Sequence, residues 1–189
     1  GGGGSGDPDN PGDPGDPGSD LPKKFVTDSS WDTFGLSDEA VSCNCTTVVG
    51  DSIYVGTNSE GVIYSDDKGS TWKVLNEKSD GLAHDQVYSI AVSGSLVFIG
   101  TFDGLSVWNR SASSGSVENS LRGSQINKIL INGNIFYLAT SEGATYGEVS
   151  NYGVMCTVSV GFKDLNVTDI FVSDSSVYAS GVPLSSGGN

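Results

Sequence analysis

Few residues of this chain combine the types and spacings that catalysis requires. The lone histidine, His84, precedes Asp85, and a neighbouring histidine and carboxylate can relay a proton. A similar stretch earlier in the chain has Asp38-Glu39 at the same two positions, which favours a polar loop over a catalytic pair. We therefore predict no catalytic residue and expect that the protein is not an enzyme.

The three cysteines, Cys43, Cys45 and Cys156, are the other reactive side chains. In a β-strand Cys43 and Cys45 would lie on the same face, so only one of them could pair with Cys156. One disulfide with a free or intermolecular thiol, and three unpaired thiols, are alternatives that the sequence leaves open. A zinc site is not favoured, because C-x-C lacks a second cysteine pair and His84 is distant. We predict no metal site and no cofactor.

The charge of the chain limits its partners. The formal net charge is −14, and the nine Lys and Arg residues are scattered. Nucleic-acid binding needs clustered basic residues, so we expect no nucleic-acid partner. No apolar run reaches the roughly 18 residues that a membrane-spanning helix needs. No signal peptide is present, so an exported chain would already have lost it.

The first 21 residues cannot build a core. Of residues 1–20, 17 are Gly, Asp or Pro and none is hydrophobic, so we predict an extended linker over residues 1–21. This segment resembles the Gly-rich tether that follows the lipidated cysteine of bacterial lipoproteins, although that cysteine is not in this sequence. The resemblance implies a lipid anchor at a bacterial cell surface.

An internal repeat organises residues 22–189. Four aromatic residues follow four turn residues at the same spacing, with successive offsets of 44, 39 and 41: Tyr54, Phe98, Tyr137 and Tyr178 after Gly50, Gly94, Gly133 and Asp174. A period near 40 built from short β runs is typical of propeller blades. We predict an all-β propeller of about four blades, with blades over residues 41–81, 82–120, 121–161 and, incomplete, 162–189.

The ends of the repeat region predict an assembly. Residues 25–34 read as an outer strand, since Trp31 precedes Gly35-Leu36 as Trp72 precedes Gly81-Leu82. The last blade lacks such a strand. Strand addition between chains would complete it, so a protein partner or self-association is expected.

The segment Ser65–Trp72 matches the S-x-D-x-G-x-T-W pattern of the Asp-box, and so resembles the BNR repeats of sialidase-like propellers. The pattern's residues are Ser65, Asp67, Gly69, Thr71 and Trp72. Asp67 is expected to accept backbone hydrogen bonds, Gly69 to adopt a positive φ, the hydroxyls to cap the loop and Trp72 to pack between sheets. The resemblance implies a structural turn between the third and fourth strands, without a catalytic role.

The second repeat resembles the propeller repeat of sensor ectodomains in hybrid two-component regulators. Its GLAHDQVYSI over residues 81–90 and FIGTFDGLSVW over residues 98–108 carry that resemblance. The resemblance implies an extracellular domain that senses a ligand and that requires a membrane helix and a kinase elsewhere in the protein. Gly100 and Gly104 are expected where strands approach the crowded axis.

Three functions follow from these patterns. A non-catalytic, extracellular or cell-surface propeller that binds or scaffolds is favoured over a ligand-sensing ectodomain. A fragment of a sialidase-like glycoside hydrolase is disfavoured, because that family needs an arginine cluster and the chain has only Arg110 and Arg122. Trp108 and Phe102 leave a glycan ligand open, although packing between blades is the more usual role. Three sequons allow N-glycosylation in a host that performs it: Asn44, Asn109 and Asn166.

Overall fold

The computed structural model describes residues 41–111, 116–150, 153–173 and 176–184. The predicted linker of residues 1–21 and the predicted outer strand of residues 25–34 lie outside these described residues. Within them, the secondary structure is β-strand apart from one short helix, which confirms the all-β prediction. No helix in the described part of the chain is both long and apolar enough to cross a membrane.

The strands form four antiparallel sheets in chain order, each a simple meander. The first sheet contains β1 (Cys43–Val49), β2 (Ser52–Thr57), β3 (Val62–Ser65) and β4 (Lys73–Leu75). The second contains β5 (Val87–Ser93), β6 (Leu96–Thr101), β7 (Gly104–Asn109) and β8 (Ser116–Ser120). The third contains β9 (Ile126–Asn132), β10 (Ile135–Thr140), β11 (Gly143–Ser150) and β12 (Gly153–Gly161). The fourth contains β13 (Leu165–Ser173) and β14 (Ser176–Pro183) in the described residues, and helix α1 (Glu77–Asp80) precedes the second sheet.

The first two strands of every sheet pair antiparallel, and in the first three sheets a two-residue turn joins them. Gly50, Gly94 and Gly133 adopt positive φ values of 60°, 58° and 64° in the first three turns, a conformation that glycine reaches without a Cβ clash. The aromatic residue of each repeat is the third residue of the second strand, and the four are Tyr54, Phe98, Tyr137 and Tyr178. The sequence period is therefore the period of one structural unit.

The core lies between sheets rather than within one. A first cluster joins Tyr54 and Val62 of the first sheet to Val97 and Trp108 of the second. A second joins the second and third sheets through Phe98 and Phe136, whose ring centroids lie 5.1 Å apart. A third and smaller cluster joins the third and fourth sheets. Because the first strands of successive sheets also contact one another, the sheets stack face to face around a common inner edge.

The first strand of each sheet shifts register by one residue at the same place, at Asn44, Tyr88, Asn127 and Thr168. Two of these residues connect successive sheets. The Asn44 side chain donates to the Val87 carbonyl of the second sheet at 2.9 Å, and Asn127 donates to the Val167 carbonyl of the fourth at 2.6 Å. A bulge frees a side chain from the regular ladder, and here the freed amide ties one sheet to the next.

The glycines of the second sheet occupy crowded positions, as the sequence led us to expect. A Cβ on Gly100 would lie 2.8 Å from the Ile126 side chain of the third sheet. A Cβ on Gly104, which has a φ of 113°, would lie 2.5 Å from the Ser120 carbonyl oxygen. Close approach of backbones at these points fixes the spacing between neighbouring strands and sheets.

Candidate functional site

The Ser65–Trp72 segment forms a closed turn between β3 and β4. The Asp67 carboxylate accepts hydrogen bonds from the Thr71 amide at 2.8 Å, the Thr71 hydroxyl at 2.7 Å and the Ser65 hydroxyl at 2.8 Å. The Ser65 hydroxyl in turn accepts from the Gly69 amide at 2.8 Å, and Gly69 has a φ of 89°. These bonds lower the pKa of Asp67 to about 2, because they favour the ionised carboxylate.

Trp72 completes the same turn. Its indole N–H donates to the Gly69 carbonyl at 2.9 Å, and its ring lies 3.4 Å from where a Gly69 Cβ would stand. These contacts hold the half-buried side chain against its own turn, and packing between sheets stays a prediction. The carboxylate and both hydroxyls are thus engaged in holding one loop, which supports a structural role for the segment.

His84 and Asp85 perform separate tasks. Nδ1 of His84 accepts from the Gln86 amide at 2.9 Å, while the Asp85 carboxylate accepts from the Glu77 amide at 2.7 Å at the start of α1. The imidazole ring packs against Phe102 with ring centroids 5.3 Å apart. Both side chains shape loops, in agreement with a polar loop position.

The two arginines are each held by their own carboxylate. Arg110 donates to Asp66 at 2.5 Å and also to the Tyr54 hydroxyl, so it connects the end of β7 to the first sheet. Arg122 donates to Asp103 at 2.6 Å and to the Ala83 carbonyl. A sialidase-type site would need such guanidinium groups together and free for a substrate carboxylate.

The cysteines give no ligand cluster in the described residues. Cys43 and Cys45 are both free thiols, and burial raises the pKa of Cys45 to about 11. Cys156 lies on β12, and because Cys43 and Cys45 are both free, neither forms the disulfide with Cys156 that the sequence left open. No group of three or more His, Cys, Asp or Glu side chains among the described residues could hold a metal ion.

The sequons and the aromatic candidates have defined contacts. The Asn44 side-chain amide donates to the second sheet, as described above. The side-chain oxygen of Asn166 accepts from the Asn127 side chain at 2.8 Å, and that of Asn109 accepts from the Ser111 backbone amide at 2.9 Å. Trp108 is 7% exposed and belongs to the first core cluster, so most of its surface packs between sheets. Phe102, in contrast, is 50% exposed.

A polar groove of about 550 Å³ opens between the first and second sheets. We define it by six residues that line it: Tyr64, Asp66, Lys73, Asp80, Ser95 and Arg110. Lys73 and Asp80 flank the groove from β4 and α1, and Arg110 closes it from the end of β7. No sequence pattern brings these residues together, because they come from two repeats and occupy different positions in each.

An apolar cavity of about 440 Å³ separates the third sheet from the fourth. It is lined by the side chains of Tyr137, Tyr146, Phe162, Ile170 and Val177, among others. In the second sheet the third strand, β7, supplies Trp108 to the corresponding space between sheets. The described part of the fourth sheet has no third strand, and the cavity lies on that side.

The outward face of the fourth sheet, which we call the open face, is rich in exposed apolar side chains. Its members are Phe171, Tyr178, Val182 and Leu184, which are 62%, 59%, 61% and 46% exposed. Phe171 and Tyr178 are directly paired across β13 and β14. Large exposed apolar patches on water-soluble folds usually mark a surface that contacts another polypeptide.

Solved structures share this fold. The extracellular domain of a putative hybrid two-component system from B. thetaiotaomicron matches with a TM-score of 0.63 at 16% identity, over 77% of this chain and 20% of that one. A second such domain from the same organism gives a TM-score of 0.58 at 21% identity, over 75% and 21%. The computationally designed protein Ika4 gives 0.57 at 14% identity, over 77% and 89%.

At these identities the likeness establishes the fold, and the four sheets are the blades of a β-propeller, as predicted from the period. The chain spans about a fifth of the length of the two extracellular domains. No protein-family model and no curated protein matches the sequence.

Proposed function

We propose that this chain is a non-catalytic β-propeller module of the bacterial cell exterior that acts by binding, and that its principal partner is an extended strand of another protein. The open face carries the proposal. Tyr178 is 59% exposed, whereas Tyr54 and Phe98, at the same place in the first two sheets, are fully buried. The fourth sheet therefore displays a surface that the fold elsewhere covers.

The other sheets indicate what kind of strand would fit. Strands β2 and β6 each pair with a third strand, β3 or β7, whose sequences are VIYS and GLSVWN. An added strand beside β14 would satisfy its backbone groups and place apolar side chains over the apolar cavity and the open face. A strand from a different protein is favoured over a second copy, because two copies would each bring a net charge of −14.

The absence of catalysis in this proposal rests on how the reactive groups are used. Asp67, Arg110 and Arg122 are engaged in turn and inter-sheet bonds, as described above. Binding surfaces remain, in the form of the open face, the apolar cavity and the polar groove. Attachment through a lipid tether follows only from the resemblance of residues 1–21 to lipoprotein linkers.

A peptide-binding experiment tests the strand partner. A fluorescent GLSVWN peptide with flanking lysines should bind the protein at least about tenfold more tightly than a scrambled peptide of the same composition. Tyr178→Asp should abolish the difference, while Phe102→Ala, which alters an exposed aromatic elsewhere, should retain it. Equal binding of both peptides would contradict the proposal. Mass that grows with protein concentration in light scattering would show that a second copy occupies the edge instead.

A second candidate function is ligand sensing by an ectodomain. It is favoured by the two extracellular domains of putative hybrid two-component systems among the structures of similar fold. The full reading frame decides this candidate, since sensing requires a membrane helix and a signalling domain in the same protein.

A further inference from the structure

The polar groove has a buried floor and walls from two sheets. Trp108 and Leu75, which are 7% and 4% exposed, form the floor. Tyr64 stands on the first-sheet wall with its ring edge-on to Trp108, at 4.8 Å between centroids. The Tyr64 ring also has Tyr54 as a neighbour, at 6.4 Å between centroids, and Lys73 Nζ lies 5.7 Å from its centroid, so the hydroxyl is the group of Tyr64 that can bond to a ligand.

The charges around the groove cancel. Asp66 and Asp80 supply two negative charges, and Lys73 and Arg110 supply two positive charges. Arg110 lies 2.5 Å and Lys73 lies 3.9 Å from the Asp66 carboxylate, so the cations are already paired. A phosphate or sulfate would have to compete with Asp66 for both of them, and a cation would have to compete with Arg110.

Three hydroxyl groups along the groove are available to a ligand. In the described part of the chain, the side-chain hydroxyls of Tyr64, Ser95 and Ser111 have no hydrogen-bond partner. The pKa of Tyr64 is raised by burial and by the negative charges of Asp66 and Asp80, so this hydroxyl keeps its proton and can donate. Two of these residues, Tyr64 and Ser95, are half-buried and Ser111 is exposed, and hydroxyls without partners favour a ligand that supplies donors and acceptors of its own.

We propose that the polar groove binds a neutral, polyhydroxylated small molecule of the size of a mono- or disaccharide. Because the charges around the groove sum to zero and both cations are already paired, a neutral ligand is favoured over a strongly ionic one, and the hydroxyl groups of the lining match a ligand rich in hydroxyls. The volume of about 550 Å³ lies within the range of small-molecule sites. This inference is independent of the strand partner, because the groove lies between the first two sheets and the open face lies on the fourth.

Amide NMR spectra of the protein titrated with maltose, cellobiose and lactose test the proposal. At least one of these sugars should shift the amide signals of Tyr64, Ser95 and Arg110, with a dissociation constant of about 1 mM. Tyr64→Phe keeps the ring against Trp108 and removes one hydrogen-bonding hydroxyl, so it should weaken binding about fivefold. The matched control Tyr88→Phe, which alters a tyrosine of β5 away from the groove, should bind as the wild type does.

Other results would overturn the proposal. Sodium phosphate at equal ionic strength should leave these amides unmoved, and shifts produced by phosphate rather than by sugars would identify an anion site. Shifts that are unaffected by Tyr64→Phe, or no shift with any of the three sugars up to about 50 mM, would exclude sugar binding in the groove. None of these outcomes bears on the peptide experiment.

Discussion

The second and fourth sheets place the same kind of residue at the same point and expose it very differently. Phe98 is the third residue of β6 and is fully buried against Phe136 of the third sheet. Tyr178 is the third residue of β14 and is 59% exposed. The repeat therefore determines where an aromatic side chain stands, while the neighbouring sheet determines whether water reaches it.

The comparison extends to the bonds between sheets. Asn127 on β9 donates to both Asn166 and Val167 of the fourth sheet, yet only a small apolar cluster accompanies these bonds. Between the second and third sheets apolar packing is the larger contribution, since seven buried apolar residues form the cluster there. Side-chain hydrogen bonds thus contribute a larger share of the contacts that hold the fourth sheet to the third.

Substituting the two equivalent aromatics should give the largest contrast. Phe98→Ala should lower the free energy of unfolding by about 3–5 kcal/mol, because it leaves a cavity in a packed interface. Tyr178→Ala should change it by less than about 1 kcal/mol, since little area is buried there. Urea denaturation of both variants, followed by circular dichroism, measures the difference.

A similar loss in the two variants would break the comparison, because it would mean that Tyr178 is covered in solution. Phe102→Ala serves as the control for removal of an exposed aromatic side chain. Its change in the free energy of unfolding should equal that of Tyr178→Ala when no strand is bound.

Removing the hydrogen bonds from Asn127 to the fourth sheet should lower the free energy of unfolding by an intermediate amount. Asn127→Ala deletes three hydrogen bonds, two of them to the fourth sheet and one from Gln125, and leaves the Val167 carbonyl without the Asn127 amide, so we expect a loss of about 1–2 kcal/mol. Asn44→Ala deletes one such bond, to Val87, within a larger interface and should cost less. The same urea measurements apply, and a larger loss for Asn44→Ala would contradict the larger share assigned to side-chain hydrogen bonds at the fourth sheet.

The turn between β3 and β4 should contribute a small, pH-dependent part of the free energy of unfolding. The pKa of Asp67 is lowered from its ordinary 3.8 to about 2, so its ionised form stabilises the folded state above that ordinary value. This contribution should disappear as the pH falls from about 4 through about 2. The stability difference between the wild type and Asp67→Asn should therefore shrink over that window in urea titrations.

Ser70→Ala is the matched control for this prediction, because Ser70 bonds to the same turn through a group that does not titrate. Its difference from the wild type should be constant with pH. A difference for Asp67→Asn that is equally constant would show that the carboxylate does not hold the turn in its ionised form.

The sequence predicts those features that depend on local chemistry. Gly50, Gly94 and Gly133 indicate the hairpin turns directly, and Ser65, Asp67 and Thr71 bond within eight residues of one another. The inter-sheet role of Asn44 and Asn127 was not predicted, because a bulge depends on pairing across the sheet and leaves little trace in the residue pattern. A comparison of bulge positions between repeats would have aligned Asn44 with Asn127.

The candidate sites depended on tertiary structure in the same way. Tyr64 and Arg110 meet only because the first two sheets stack, so no spacing in the sequence predicts the polar groove. The indole N–H of Trp72 donates to the Gly69 carbonyl of its own turn, a bond that the residue pattern did not predict. In both cases the competing partners become visible only when the chain is folded.

Hydrogen exchange of the four second strands tests the central claim most directly. Amides of β2 and β6 lie inside four-stranded sheets and should exchange slowly, whereas those of β14 should exchange at least about a hundredfold faster and slow down when the GLSVWN peptide is added. Protection of β14 equal to that of β6 in the protein alone would contradict the claim that the fourth sheet offers an open edge.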